Sequence, residues 1–162
     1  MWTDKIVSRK QLLDEVKKRR RLKDKIVFTN GCFDILHIRH LKVLNYACNL
    51  FDYGIVIVGL NSDESIRRLK GKGRPIMSQN ERAEILANLE CVDLITIFDG
   101  DTPLDLIRQI KPDVICKGPD WLPDEVIGGR EILANGGRIE IVPASLPNPT
   151  TSSIIRKMQR LK

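Results

Sequence analysis

Short runs of β-branched and other apolar residues alternate along the chain with stretches whose apolar residues recur every three or four positions. The runs predict strands, and the stretches predict helices. The predicted strands cover residues 26–29, 55–60, 92–98, 114–116 and 138–142, and the predicted helices cover residues 38–50, 80–89, 103–110, 128–134 and 151–161. This regular alternation predicts an α/β fold, with a parallel sheet and helices on both faces.

An amphipathic segment precedes the first predicted strand. Leu12, Leu13 and Val16 recur at helical spacing among charged residues, which predicts a helix on the flank of the domain. We expect residues 1–24 to form an N-terminal helical extension. The whole chain, residues 1–162, has the length of one domain and contains no internal repeat or linker.

The charge balance favours an anionic partner. Lysine and arginine total 27 against 21 acidic residues, a net charge of +6, which suits a nucleotide, a sugar phosphate or a nucleic acid. The apolar stretch at residues 54–60 is far shorter than the ~20 residues of a membrane-spanning helix. The first residues also lack the pattern of a secretory signal. We therefore expect a cytoplasmic protein with no membrane partner.

The four cysteines are widely spaced and lie in apolar runs. Cys32, Cys48, Cys91 and Cys116 include no Cys-x-x-Cys pair, so reduced core thiols are expected rather than disulfides or a zinc site.

Polar clusters follow the predicted strands, where parallel sheets bind their ligands. They occupy residues 30–34, 61–64 and 117–121, and residues 149–153 open the last helix. The two histidines of the chain, His37 and His40, stand three apart at the start of a predicted helix. This spacing places both rings on one helix face, beside free backbone N–H groups that suit a phosphate. Two half-exposed histidines without a role are the alternative; a metal site lacks a third histidine.

Residues 29–40 resemble the signature of the cytidylyltransferase-like nucleotidyltransferases, whose motif is His-x-Gly-His and whose fold is a small Rossmann-like sheet. The chain is further similar to the adenylyltransferase domains of ADP-heptose synthases. That similarity rests, in order, on residues 61–71, 74–75, 81–86, 92–93, 101–103, 117–121 and 150–155. Several separated motifs in order are much more specific than a lone histidine pair.

The resemblance implies transfer of AMP from ATP to D-glycero-β-D-manno-heptose 1-phosphate, which yields ADP-heptose and pyrophosphate. A sugar phosphate is already an anionic nucleophile, so the enzyme needs positioning and cations rather than a nucleophilic side chain. Mg²⁺ is expected, held mainly through the ATP phosphates, with no residue assigned as a metal ligand. The family also suggests a homodimer and a functional partnership with a separate sugar kinase.

Two alternatives stay open. The first is cytidylyl or adenylyl transfer to another phosphorylated acceptor, such as a polyol phosphate or FMN. The second is a catalytically impaired nucleotide-binding module. Nucleic-acid binding is disfavoured, since aromatic residues are only 5% of the chain and do not interleave with the basic run at residues 17–23.

The resemblance also implies the site residues. Expected catalytic residues are His37, His40 and Lys70. Expected nucleotide-binding residues are Asn30, Gly31, Phe33, Asp34, Arg39, Arg82, Lys117, Asp120, Thr150, Thr151 and Ser152. Expected acceptor-binding residues are Asn61, Asp63 and Trp121.

Several of these residues have plainer alternatives. Lys70 belongs to a basic, glycine-containing stretch that could be a solvated surface, although a loop closing on substrate is expected. Arg82 could form a salt bridge with Glu84 or another acid. Asn61 and Asp63 could serve only a turn, and Trp121 could cover the core.

One residue departs from the family motif. Arg39 stands where the motif has glycine, and that glycine lets the helix start approach the nucleotide closely. An arginine there is expected to crowd the base or ribose and attenuate activity unless it turns away. Alternatively, it serves as a phosphate ligand or stacks on the base.

Overall fold

Five parallel strands form one sheet in the order β3-β2-β1-β4-β5 in the computed structural model, which describes residues 2–143 and 149–161. The strands are β1 (Lys25–Gly31), β2 (Gly54–Asn61), β3 (Leu94–Phe98), β4 (Val114–Lys117) and β5 (Arg138–Ile141). The helices are α1 (Arg9–Arg21), α2 (Ile38–Cys48), α3 (Asp63–Lys70), α4 (Gln79–Ala87), α5 (Leu104–Ile110), α6 (Gly129–Ala134) and α7 (Thr151–Gln159), with 3-10 turns at Trp2–Lys5 and Pro123–Glu125. The α/β prediction of a single Rossmann-like domain is confirmed.

Alternating side chains divide the core between the two faces of the sheet. Ile26 and Phe28 of β1 pack with the helices α1, α5 and α6. Val27, between them, packs with α2 on the opposite face, where α4 also lies. Helices therefore cover both faces, as the sequence pattern predicted.

The predicted N-terminal helix is α1, and it is built into the core. Ser8 caps its first turn, and Leu12 and Val16 are buried. Much of the basic run at its end is paired with acids, since Arg19 contacts Glu15 and Asp24. Arg20 likewise contacts Asp113. This pairing weakens the case for a nucleic-acid surface along α1.

Helix α3 is a correction, because its residues were expected to form a polar turn and a loop. Ser62 caps the helix, Asp63 and Glu64 occupy its first turn, and cations occupy its last turn. These charges complement the helix dipole.

The cysteines only partly match the expectation of core thiols. All four are free, but only Cys116 is buried, while Cys32, Cys48 and Cys91 are half-buried. No helix in the described ranges has the length and apolar character that a membrane span requires.

Candidate active site

A pocket of about 310 Å³ opens where β1 and β4 part at their carboxyl ends. The two strands share only the register pairs Val27↔Val114 and Phe28↔Ile115, although β1 continues to Gly31. We call this crevice the β1–β4 pocket. Its lining consists of Thr29, Asn30, Gly31, Phe33, His37, Arg39, His40, Val43, Lys70, Lys117, Gly118, Asp120, Trp121, Thr150, Thr151 and Ser152.

The two histidines form a stacked pair at the start of α2. Their ring centroids are 3.8 Å apart, and the backbone N–H of His37 donates to Nδ1 of His40 over 3.4 Å. That contact makes Nδ1 an acceptor, so the neutral His40 ring carries its proton on Nε2. Nδ1 of His37 is buried with no hydrogen-bond partner in the part of the chain that the structure describes.

Both imidazoles are neutral near pH 7. Burial lowers the pKa of His40 to about 3, and the charges of His37, Arg39 and Lys70 act in the same direction. Burial and then Arg39 also lower the pKa of His37. The pair therefore offers neutral hydrogen-bonding groups, and the fixed positive charge comes from other residues.

The turn before α2 holds the His40 ring in place. Phe33 is buried, and its ring centroid lies 4.9 Å from that of His40. Its backbone adopts a φ of 47°, a conformation that costs free energy for a non-glycine residue and occurs at functional turns. A side chain at Gly31 would approach the Phe33 ring to 3.2 Å, so glycine leaves room for it.

Lys117 is a buried residue that lines the pocket. Its Nζ donates to Oδ1 of Asn30 over 2.6 Å, across the gap between β4 and β1. The same Nζ lies 4.7 Å from the ring centroid of Trp121. Burial lowers the pKa of Lys117 to about 8, so this lysine is charged at pH 7 and loses its charge a little above that.

Three hydroxyl side chains line the pocket at the start of α7. Thr150 caps the helix by accepting from the backbone N–H of Ser153, as expected of a hydroxyl at that position. Thr151 and Ser152 follow in the first turn. The free N–H groups of a helix start suit an anion.

Arg39 does not turn to solvent. Its side chain is only 11% exposed and forms an ion pair with Asp120, whose side chain is 67% exposed. Both residues line the pocket. From the sequence, Arg39 could either occupy the site or turn away from it, and the structure shows it inside the site.

Arg82 was expected to bind the nucleotide, but it is not among the residues that line the pocket. Its side chain is 0% exposed. Its nitrogens donate to the carbonyl oxygens of Met77, Cys32 and Asn61 over 3.1, 2.6 and 2.9 Å, and Nη2 pairs with Asp63 over 2.7 Å. With its nitrogens engaged in the interior, Arg82 holds three segments together. Its acidic partner is Asp63 rather than Glu84.

Asp34 is likewise absent from the lining of the pocket. Its carboxylate is buried and accepts the backbone N–H groups of Ile76 and Met77 over 2.7 and 3.0 Å. Arg74 lies 2.7 Å from the other carboxylate oxygen, in an ion pair without hydrogen-bond alignment. Asp34 thus fastens the segment after Lys70 to the turn before α2.

Two of the three expected acceptor-binding residues also lie outside the pocket. Asn61 is buried and donates to Oγ of Ser65. Asp63 lines a separate open recess. Asn61 ends strand β2 and Asp63 begins helix α3, whereas Trp121 does line the pocket.

Three lining residues were not among those expected, namely Thr29, Val43 and Gly118. Thr29 begins the signature segment at residues 29–40, and Gly118 lies in the polar cluster at residues 117–121. Val43 lies one helical turn after His40, on the same face. Helix spacing from the histidines was therefore the signal for Val43.

The chemistry of the lining suits a bound polyanion. Among the described residues of the pocket, Arg39, Lys70 and Lys117 supply cations, and Asp120 supplies the one carboxylate. Histidines, hydroxyls and helix starts add hydrogen-bond donors. A parallel sheet with such a site at its strand ends is typical of enzymes that bind nucleotides.

A family model described as cytidylyltransferase-like matches residues 28–158, and the chain belongs to this family. The protein is similar to the bifunctional protein HldE of Syntrophotalea carbinolica, at 45% identity over 98% of this chain and 32% of that relative. It is also similar to HldE of Rhodopseudomonas palustris, at 51% identity over 85% of this chain and 28% of the relative. The chain thus spans about a third of these curated relatives.

A solved structure shows the same fold. The lipopolysaccharide core biosynthesis protein from Thermoplasma volcanium superposes with a TM-score of 0.59 at 28% identity, over 75% of this chain and 96% of that one.

Proposed function

We propose that the protein transfers AMP from ATP to D-glycero-β-D-manno-heptose 1-phosphate, releasing pyrophosphate and forming ADP-heptose. The observation that carries the proposal is the neutral His37–His40 stack, placed in one pocket with the cations Lys70 and Lys117. The HldE relatives and the lipopolysaccharide core biosynthesis protein support a sugar as the acceptor.

In this proposal the pocket neutralises charge rather than supplying a nucleophile. A phosphate oxygen of the sugar attacks the α-phosphorus of ATP, and the bond to the bridging oxygen of the leaving pyrophosphate breaks. Nε2 of His40 donates to the developing charge on the transferred phosphate. Lys70, the start of α7 and Lys117 hold phosphate oxygens, and Trp121 covers the acceptor.

Mg²⁺ enters this scheme as part of the nucleotide substrate. No group of three or more metal-binding side chains occurs among residues 2–143 and 149–161, and Asp120 is the carboxylate at the pocket. Such a lining suits an ion held by phosphates and water.

The wider setting follows from the same proposal. The phosphoryl group of a heptose 1-phosphate points to a kinase upstream, so the protein would work with a separate sugar kinase. We place the protein in the cytoplasm, and we propose a homodimer as the working form.

The test is a matrix of nucleotides and acceptors. The protein is incubated with Mg²⁺, each of ATP, CTP, GTP and UTP, and each of heptose 1-phosphate, a polyol phosphate and FMN, and products are identified by mass spectrometry. We expect ADP-heptose and pyrophosphate only from ATP with heptose 1-phosphate. A product from another pair would replace this proposal with a sibling reaction. Nucleotide binding without any product would favour the impaired binding module.

A further inference from the structure

The ion pair between Arg39 and Asp120 spans the β1–β4 pocket. Arg39 comes from the first turn of α2, and Asp120 comes from the loop after β4, 81 positions further along the chain. The pair therefore joins two distant segments of the chain that line the same crevice.

The surroundings of Arg39 favour an anion. The first turn of α2 contains no acidic side chain, and the start of a helix carries a partial positive charge that favours anions. Two neutral imidazoles stand on either side of Arg39 in sequence, and Lys70 and Lys117 line the same pocket. Asp120 is the carboxylate that reaches this positive region among the described residues.

The two partners are unequally exposed. Arg39 is largely buried, whereas two-thirds of the Asp120 side chain is exposed to water. An ion pair with one well-solvated partner is weak. A phosphate group binds a guanidinium more tightly, because it carries more charge and accepts two parallel hydrogen bonds.

We propose that Arg39 is an anion-binding residue of the pocket, and that Asp120 is an internal anion which a phosphate group of the incoming ligand displaces. The proposal rests on the proposed function for the source of that phosphate, a nucleoside triphosphate. It assigns Arg39 a positive contribution to binding, in contrast to an arginine that only crowds the site.

Calorimetric titration with inorganic pyrophosphate tests the exchange, because this probe has no base or ribose to crowd. Arg39→Gln removes the proposed anion ligand, and we expect affinity to fall about 10- to 150-fold. Asp120→Asn removes the competing anion, and we expect affinity to rise about two- to fivefold. In the double variant Arg39→Gln/Asp120→Asn, the asparagine no longer raises pyrophosphate affinity, because the arginine for which Asp120 and phosphate compete is gone.

Asp124→Asn is the matched control. It removes a carboxylate from the same loop at an exposed position outside the pocket, so pyrophosphate affinity stays within about twofold of the parent. An equal gain in Asp124→Asn, or a gain from Asp120→Asn that persists without Arg39, would show a general charge effect and overturn the exchange.

Three further results would overturn the proposal. They are tighter pyrophosphate binding by Arg39→Gln, weaker binding by Asp120→Asn, and no pyrophosphate binding by any of the proteins. Adenylyl transfer by the parent protein is measured separately. If adenylyl transfer is absent but the variants bind pyrophosphate as expected, only the proposed function fails. If adenylyl transfer is present but the variants do not bind pyrophosphate as expected, only the exchange of Asp120 for phosphate fails.

Discussion

Replacing Arg82 by methionine tests the structural role that the interior assigns to this arginine. Methionine has a similar length, so it fills most of the space without a large cavity. It leaves the carbonyl oxygens of Met77, Cys32 and Asn61 without their guanidinium donor. The 22% exposed carboxylate of Asp63 also loses its partner, but water can reach it.

The expected loss of stability is large. Each buried acceptor left unpaired costs about 1–3 kcal/mol, and breaking a buried ion pair costs about 3–5 kcal/mol. Three unpaired acceptors give about 3–9 kcal/mol. Because Asp63 can be rehydrated and a buried charge no longer has to be desolvated, we expect Arg82→Met to lower the free energy of unfolding by an amount in the lower part of that range, about 3–5 kcal/mol. In a chain of this size that lowers Tm by roughly 6 to 20 °C.

Urea unfolding followed by circular dichroism measures the effect. Arg108→Met is the control, because Arg108 forms an exposed pair with Glu131, and its loss should change stability by about 1 kcal/mol or less. A loss below about 1 kcal/mol in Arg82→Met, with adenylyl transfer strongly reduced, would refute the structural role and restore the phosphate contact expected from the sequence.

Three predictions concern the pocket itself. His40→Ala should lower kcat about 100- to 1000-fold with an unchanged unfolding midpoint; a change below about threefold would contradict its role. Lys70→Ala should weaken ATP binding about 10- to 150-fold without loss of thermal stability, and equal ATP affinity would leave the solvated-surface alternative standing. Pyrophosphate affinity should fall as pH rises through about 8, because Lys117 loses its proton there. Arginine keeps its charge in this range, so Lys117→Arg should make the affinity nearly independent of pH. An equal decline in both proteins would exclude Lys117 as the cause.

The sheet and most helices could be predicted because their signals are local. Runs such as residues 55–60 are apolar throughout, and a strand buried on both faces needs that composition. Helix α3 was not predicted from the sequence because Ile66 is its one buried apolar residue. Its evidence is polar: a serine cap, two acids in the first turn and cations in the last.

The pocket could be predicted in outline, since polar segments at strand ends converge in any parallel sheet. Individual roles depended on contacts between distant residues. Arg82 follows a glutamate on an ordinary helix, yet its partners lie as far as 50 residues away in sequence. The Arg39–Asp120 pair joins residues 81 positions apart. No periodicity or spacing in the sequence indicates which distant residues come into contact.

Because β1 pairs with β4 at few positions, a bound ligand would help to hold these two strands together. Two register pairs join these strands where seven join β1 to β2, and the Lys117–Asn30 contact above them closes a loop of 87 residues. A polyanion gripping both sides would act as a removable cross-link between the first and second halves of the chain. At a hundredfold excess over Kd it would add about 2.7 kcal/mol to the free energy of unfolding. Substrate supply would then raise the stability of the fold as well as feed its turnover.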